Sequence, residues 1–303
     1  MPANITNKLT QAILHTLSYS DIFDYPLTAP EVHQYLTRVK ASFEEVTQAL
    51  EDGPMSRTDN YFTLPGREGI VSIRVDREAR SQKLFPLALR YGRILGALPY
   101  IRMVALTGSL AMRNIEDGKD IDYLIVTAPN HLWTCRALAL LVARFARFEG
   151  IRLCPNYLIT EKALTLPDQS LYAAHELAQM IPLSGMEIYT KMRHMNAWTD
   201  EYLPNTQGLP EAFIVANRRS DFQHFLEIIF NLLPVRLFEK WEMNRKIKKL
   251  SREQFSSSES SFSEDVCKGH ADMHGETTEY ELRRRLHDFA PAHPVYADNL
   301  NDS

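Results

Sequence analysis

Cysteine is scarce in this chain: Cys135, Cys154 and Cys267 are the only three among 303 residues. So few thiols, so far apart, exclude a disulfide framework and make a reducing cytoplasmic setting the expectation. Long apolar runs are also missing. The greasiest segment, around Leu138 to Val142, is bounded by Arg136 and Arg144 and is too short to span a bilayer. The amino terminus lacks the basic stretch and apolar core of a secretory signal, so no membrane partner is expected. Neither charge sign dominates, with 34 Lys and Arg against 38 Asp and Glu and a net charge of −4. That balance excludes a globally basic nucleic-acid binder and leaves room only for a local basic patch. Internal repeats are absent as well.

What is present is an ordinary globular composition, 45% apolar and 24% charged, with length for two or three small domains. Leu9 to Leu17 has helical periodicity, and Thr28/Glu31 and Ser42/Glu45 are two capping-box patterns that open further helices. With a strand-like tail from Tyr61 to Pro65, residues 1–72 read as a winged-helix-like domain. Its third helix, Ser42 to Asp52, is acidic, which suits docking a protein partner better than reading DNA. Arg74 to Leu98 follows as one long amphipathic helix.

The most informative stretch is Thr107-Gly108-Ser109-Leu110, followed by Asp120-Ile121-Asp122-Tyr123-Leu124-Ile125-Val126. Met103 to Leu106 reads as a buried strand that stops at the Gly-Ser turn, and Asp120 opens a second apolar strand. Alternate side chains of a strand share a face, so Asp120 and Asp122 project together. Two adjacent carboxylates repel unless something positive lies between them, and a hard divalent cation with oxygen ligands fits that need.

The spacing Gly-Ser-x10-Asp-Ile-Asp resembles the signature of the DNA polymerase β-like nucleotidyltransferase superfamily. The resemblance implies an α+β fold: a nucleotidyltransferase core with a small mixed sheet and helices over residues 73–168. It also implies transfer of a nucleoside monophosphate from an NTP to an acceptor, with release of pyrophosphate. Asp120 and Asp122 would bind Mg²⁺ (or Mn²⁺), Gly108 and Ser109 would hold the β- and γ-phosphates, and Lys119 would touch a phosphate. Members usually carry a third carboxylate on the next strand. Here that strand is Ile151 to Thr160, and its apparent counterpart is Asn156. An amide cannot accept a proton at neutral pH. Either another group serves as base, with Glu161 and Glu176 the candidates, or the acceptor arrives ionised, or the chain is a catalytically impaired nucleotide-binding or protein-interaction module. The acceptor itself (small molecule, protein or nucleic acid) is left open.

A packing helix from His131 to Phe148, capped by Asn130, lies between the second and third strands. From Ser170 onward the pattern reads as helical, giving a helical region over residues 169–250 that would close over the nucleotide. Residues 251–265 are Ser-rich and read as a flexible linker, and 266–303 as a helical tail. In that tail Cys267, His270 and His274 form an incomplete zinc-like constellation, and Lys268 is a candidate to dock back near the phosphates.

Overall fold

The computed structural model describes residues 3–206, 221–231, 234–250, 261–269 and 274–289. The head comprises α1 (Ala3–Asp21), β1 (Leu27–Thr28), α2 (Ala29–Gln34), α3 (Phe43–Asp52), β2 (Ser56–Thr58) and β3 (Tyr61–Thr63). Its strands form a small antiparallel sheet in the order β1-β3-β2. Both capping boxes are formed: Thr28 N–H donates to Glu31 at 2.8 Å, and Ser42 N–H donates to Glu45 at 2.8 Å. Ile13, Leu17, Val32, Leu36 and Val46 close the head's own core.

From the head the chain enters α4 (Ile70–Gly96), then β4 (Ile101–Thr107), the short α5 (Gly108–Ala111) and β5 (Ile121–Thr127). Then come α6 (Leu132–Phe148), β6 (Leu153–Thr160), α7 (Leu171–Gln179), β7 (Ile181–Ser184), α8 (Met186–Met195) and α9 (Thr199–Tyr202). The last described elements are α10 (Asp221–Asn231), α11 (Val235–Leu250), β8 (Ser261–Phe262), β9 (Val266–Lys268) and α12 (His274–Phe289). The fold is a mixed α+β arrangement. Its larger sheet has the order β7-β4-β5-β6-β9-β8, with β5 and β6 parallel and the other neighbours antiparallel.

Alternation along the central strands sorts their side chains onto two buried faces. Val104, Leu106, Tyr123 and Ile125 join one cluster with Tyr91, Leu95 and Trp133, from α4 and α6. Met103, Ala105, Leu124 and Val126 join the other, with Leu177, Tyr189 and Met192 from α7 and α8. Asp122 shares its parity with Leu124 and Val126, so it belongs to the face that α7 and α8 cover.

Three expectations need correction. The segment after Ser170 is not helical throughout, because Ile181–Ser184 pairs with β4 as an edge strand. Pro182 lacks an N–H to donate, a defect that an edge position tolerates, and four residues between two helical stripes leave no periodicity to read. Asn130 does not cap α6. It sits at φ 62° one position before the N-cap, His131, and the Trp133 and Thr134 N–H groups donate to Glu239 of α11 instead, at 2.8 and 2.7 Å. The expected linker ends early: Ser261 and Phe262 form β8, while 251–260 lie outside the described residues.

Head and core are joined by ion pairs. Arg74 of α4 is buried and meets Glu31 of α2 through two bonds of 2.7 and 2.8 Å, its guanidinium lying between the rings of Tyr25 and Tyr61. Burial opposes ionisation of Glu31, yet Arg74 and the Thr28 donors hold its carboxyl below the ordinary value. Arg285 of α12 reaches Asp21 of α1 at 2.7 Å.

Candidate functional site

β4 and β5 run antiparallel with Thr107 opposite Asp122, so the turn that leaves β4 lies directly beside that carboxylate. Gly108 takes φ +65°, a region that disfavours any side chain. Space gives a second reason for glycine, since a Cβ there would stand 2.8 Å from Asp122 Oδ2. The backbone can therefore approach the carboxylate only as glycine.

The turn opens into a cleft of about 960 Å³. Gly108, Ser109, Lys119, Asp120 and Asp122 all line it, so five of the six residues singled out from the sequence share one cavity. Asn156 falls within β6, and its side chain lies outside the described residues. Of the two substitute acids, Glu176 of α7 lines the same cleft. Glu161 does not. It sits past the end of β6, 3.9 Å from Arg102. Lys268 of β9 also lines the cleft, with its amine 5.7 Å above the Tyr157 ring.

The electrostatics follow from that crowding. Burial, then Glu176, then Asp120 push the Asp122 carboxyl up to about 7, while the Cys154 thiol and Lys119 oppose the rise. Burial pushes Glu176 up to about 7 as well, with Lys268 opposing. Burial and the two aspartates push the Cys154 thiol up to about 12, which leaves it a neutral donor to Asp122 rather than a nucleophile. Arg152 Nε stands 2.7 Å from Asp120 Oδ1. Its Nη1 donates to the Gly118 carbonyl at 2.8 Å.

Arg152 and Cys154 carry no signal in the sequence. They reach the site because β6 runs parallel to β5 in a register that pairs Ile121 with Leu153 and Asp122 with Cys154. The far wall belongs to the head, through Tyr19, Phe23, Tyr25 and Tyr35, and to α12, through Glu276 and Glu279. His175 stacks on Tyr19 with centroids 3.8 Å apart, and burial pulls its imidazole down to about 4, so it is a neutral packing group.

No protein-family model, curated protein or solved structure matches the chain. The site must therefore be judged by its donors. Among the described residues no three His, Cys, Asp or Glu side chains converge as a metal cage. Cys267, at 3% exposure, faces the core, while His270 and the His274 side chain lie outside the described residues. Mg²⁺ does not need a cage of protein ligands. It keeps several waters and is commonly held by one or two carboxylates together with substrate phosphates. Asp122, whose ionisation burial and neighbouring acids oppose, and Asp120 beside it, next to a glycine turn in an open cleft, suit such an ion.

Proposed function

We propose that this chain is a metal-dependent nucleotidyltransferase that moves an NMP group from an NTP to an acceptor, on a nucleotidyltransferase-type core. The observation that carries the reading is the closeness of the Gly108 turn to Asp122, with Asp120, Ser109 and Lys119 in the same cleft. The acceptor oxygen would attack the α-phosphorus, the bond to the bridging oxygen would break, and pyrophosphate would leave. A bound Mg²⁺ or Mn²⁺ would supply charge neutralisation on the phosphates. Asp120 and Asp122 would hold it, which would favour the ionised form of Asp122. Ser109 donates its hydroxyl to a phosphate oxygen, and Lys119, Arg152 and Lys268 place positive charge along the polyphosphate. Arg152 exchanges its pairing with Asp120 for a phosphate when the nucleotide enters.

The missing strand carboxylate has a replacement in this reading. Glu176 approaches from α7, shares the cleft with the aspartates, and is protonatable near neutrality, so it takes the proton of the acceptor. The winged-helix-like head serves as the acceptor-side wall. The alternative, a nucleotide-binding or protein-interaction module without turnover, rests on Asn156 in the place of the usual acid.

The test is a panel of NTPs with Mg²⁺ or Mn²⁺, scored for pyrophosphate release against a library of metabolites and cell extract. Release lost in Asp120→Asn supports the enzyme. Metal-dependent NTP binding without release under any condition supports the alternative.

A further inference from the structure

The helices α10 and α11 have an unusual division of faces. Gln223, Glu227, Glu239 and Glu242 are buried beside Phe230, Val235, Met243 and Ile247, while six large apolar side chains face outward. Gln223 donates to the Leu98 and Ile101 carbonyls at 2.8 and 2.7 Å. Glu227 accepts from the Tyr100 N–H at 2.9 Å and from Arg102 at 2.7 Å. Glu239, at 6% exposure, accepts from the N–H groups of Trp133 and Thr134 and from the Thr134 hydroxyl. These contacts anchor both helices to backbone groups at the ends of α4, β4 and α6.

On the outer side stand Phe225, Ile228 and Ile229 of α10 and Leu237, Phe238 and Trp241 of α11. Leu237 is 71% exposed and Trp241 58%. Scattered single apolar residues on a surface need no explanation, but a full helix face does. The exposed charges of α11 are of one sign. Lys240 and Lys248 form no ion pair among the described residues, whereas Arg245, its guanidinium 5.1 Å from the Trp241 ring centre, is paired with Glu242 at 2.7 Å. The acids of α11, Glu239 and Glu242, are both buried. The only exposed carboxylate of the two helices, Asp221, is at the first position of α10, where it complements the helix start. α6, against which α11 packs, repeats the pattern with Leu141, Phe145 and Phe148 exposed at helical spacing beside Arg144 and Arg147.

We propose that the outer face of α10 and α11 docks on an anionic lipid surface. Aliphatic and aromatic side chains with a tryptophan, flanked by Lys240 and Lys248, are what a helix lying in the headgroup region presents. Charge decides among the occupants. A second copy would bring like charges together, and a nucleic acid would gain little from Ile228, Ile229 and Leu237, which offer no stacking surface. Docking in the plane of the membrane needs no spanning helix, and among the described residues none is long and apolar enough to cross one. The proposal is independent of the nucleotidyltransferase reading.

The test is co-sedimentation of the full chain with vesicles of phosphatidylcholine alone or mixed with phosphatidylglycerol, read together with tryptophan emission. Binding to the anionic vesicles only, with a blue shift, is expected. Lys240→Glu/Lys248→Glu should weaken it by about tenfold or more. Leu237→Ser/Trp241→Ser should abolish it while leaving the circular dichroism unchanged. If the double serine variant fails to fold, the charge-reversal variant decides alone. Absence of vesicle binding would overturn the proposal, as would binding equal on neutral vesicles, binding to single-stranded RNA in place of vesicles, or a dimer in light scattering that the serine variant dissolves.

Discussion

The acids at the seam of α6 and α11 and those in the cleft are both largely buried, and their surroundings treat them differently. At the seam between α6 and α11, Glu239 receives two backbone N–H groups and a hydroxyl within 2.8 Å, so its charge is met by donors the fold supplies. In the cleft, Asp122 has Glu176 and Asp120 for neighbours, and both it and Glu176 are pushed up to about 7. A buried carboxylate surrounded by donors is part of the framework. A buried carboxylate crowded by other carboxylates is a candidate for holding a cation. The contrast is the physical ground for proposing a role for the cleft acids and not for Glu239.

The sharpest way to break the comparison is to neutralise one acid in each region. Asp120→Asn should cut metal-dependent NTP turnover by about a hundredfold or more while leaving the fold intact, read by pyrophosphate release and circular dichroism. Glu239→Ala should do the reverse, costing roughly 3 kcal/mol in urea denaturation by leaving buried donors without an acceptor, with the cleft chemistry kept in the surviving folded fraction. Stability loss in the first variant, or activity loss alone in the second, would merge the two classes.

Gly108→Ala is next in size. The left-handed backbone alone should cost about 1–2 kcal/mol, and the added Cβ would press on Asp122. Nucleotide affinity should fall by more than the stability loss explains, as measured by titration with a fluorescent NTP. The smallest effect concerns pH. Asp122 and Glu176 lie at about 7 in the folded chain against ordinary values of 3.8 and 4.5. The folded state therefore keeps protons that the unfolded chain has lost, and stability falls as pH rises from about 4 to about 7. Glu176→Gln should raise the melting temperature by a few degrees on the alkaline side of that window, and the gain should vanish on the acid side.

Much of the cleft was legible because its residues sit close together in the chain. Gly108, Ser109, Lys119, Asp120 and Asp122 belong to one strand-turn-strand unit, and strand parity alone puts the aspartates on one face. The head's two capping boxes were readable for the same reason. What the sequence hid is long-range. Arg152 and Cys154 depend on the register of β6 against β5, and the cap of α6 depends on Glu239, more than a hundred positions away. β7 was hidden by its brevity, and the entry of β9 into the sheet by the Ser-rich stretch before it. The outward apolar face of α10 was concealed for another reason: periodicity shows that a helix has two faces, and the default assigns the greasy one inward.

The most direct measurement of the central claim is Mn²⁺ electron paramagnetic resonance with an NTP, comparing the native chain with Asp122→Asn. A bound-metal signal that requires the NTP, with the free Mn²⁺ signal depleted only by the native chain, is the predicted result. Equal depletion by both proteins, or none by either, would contradict the assignment of the aspartate pair.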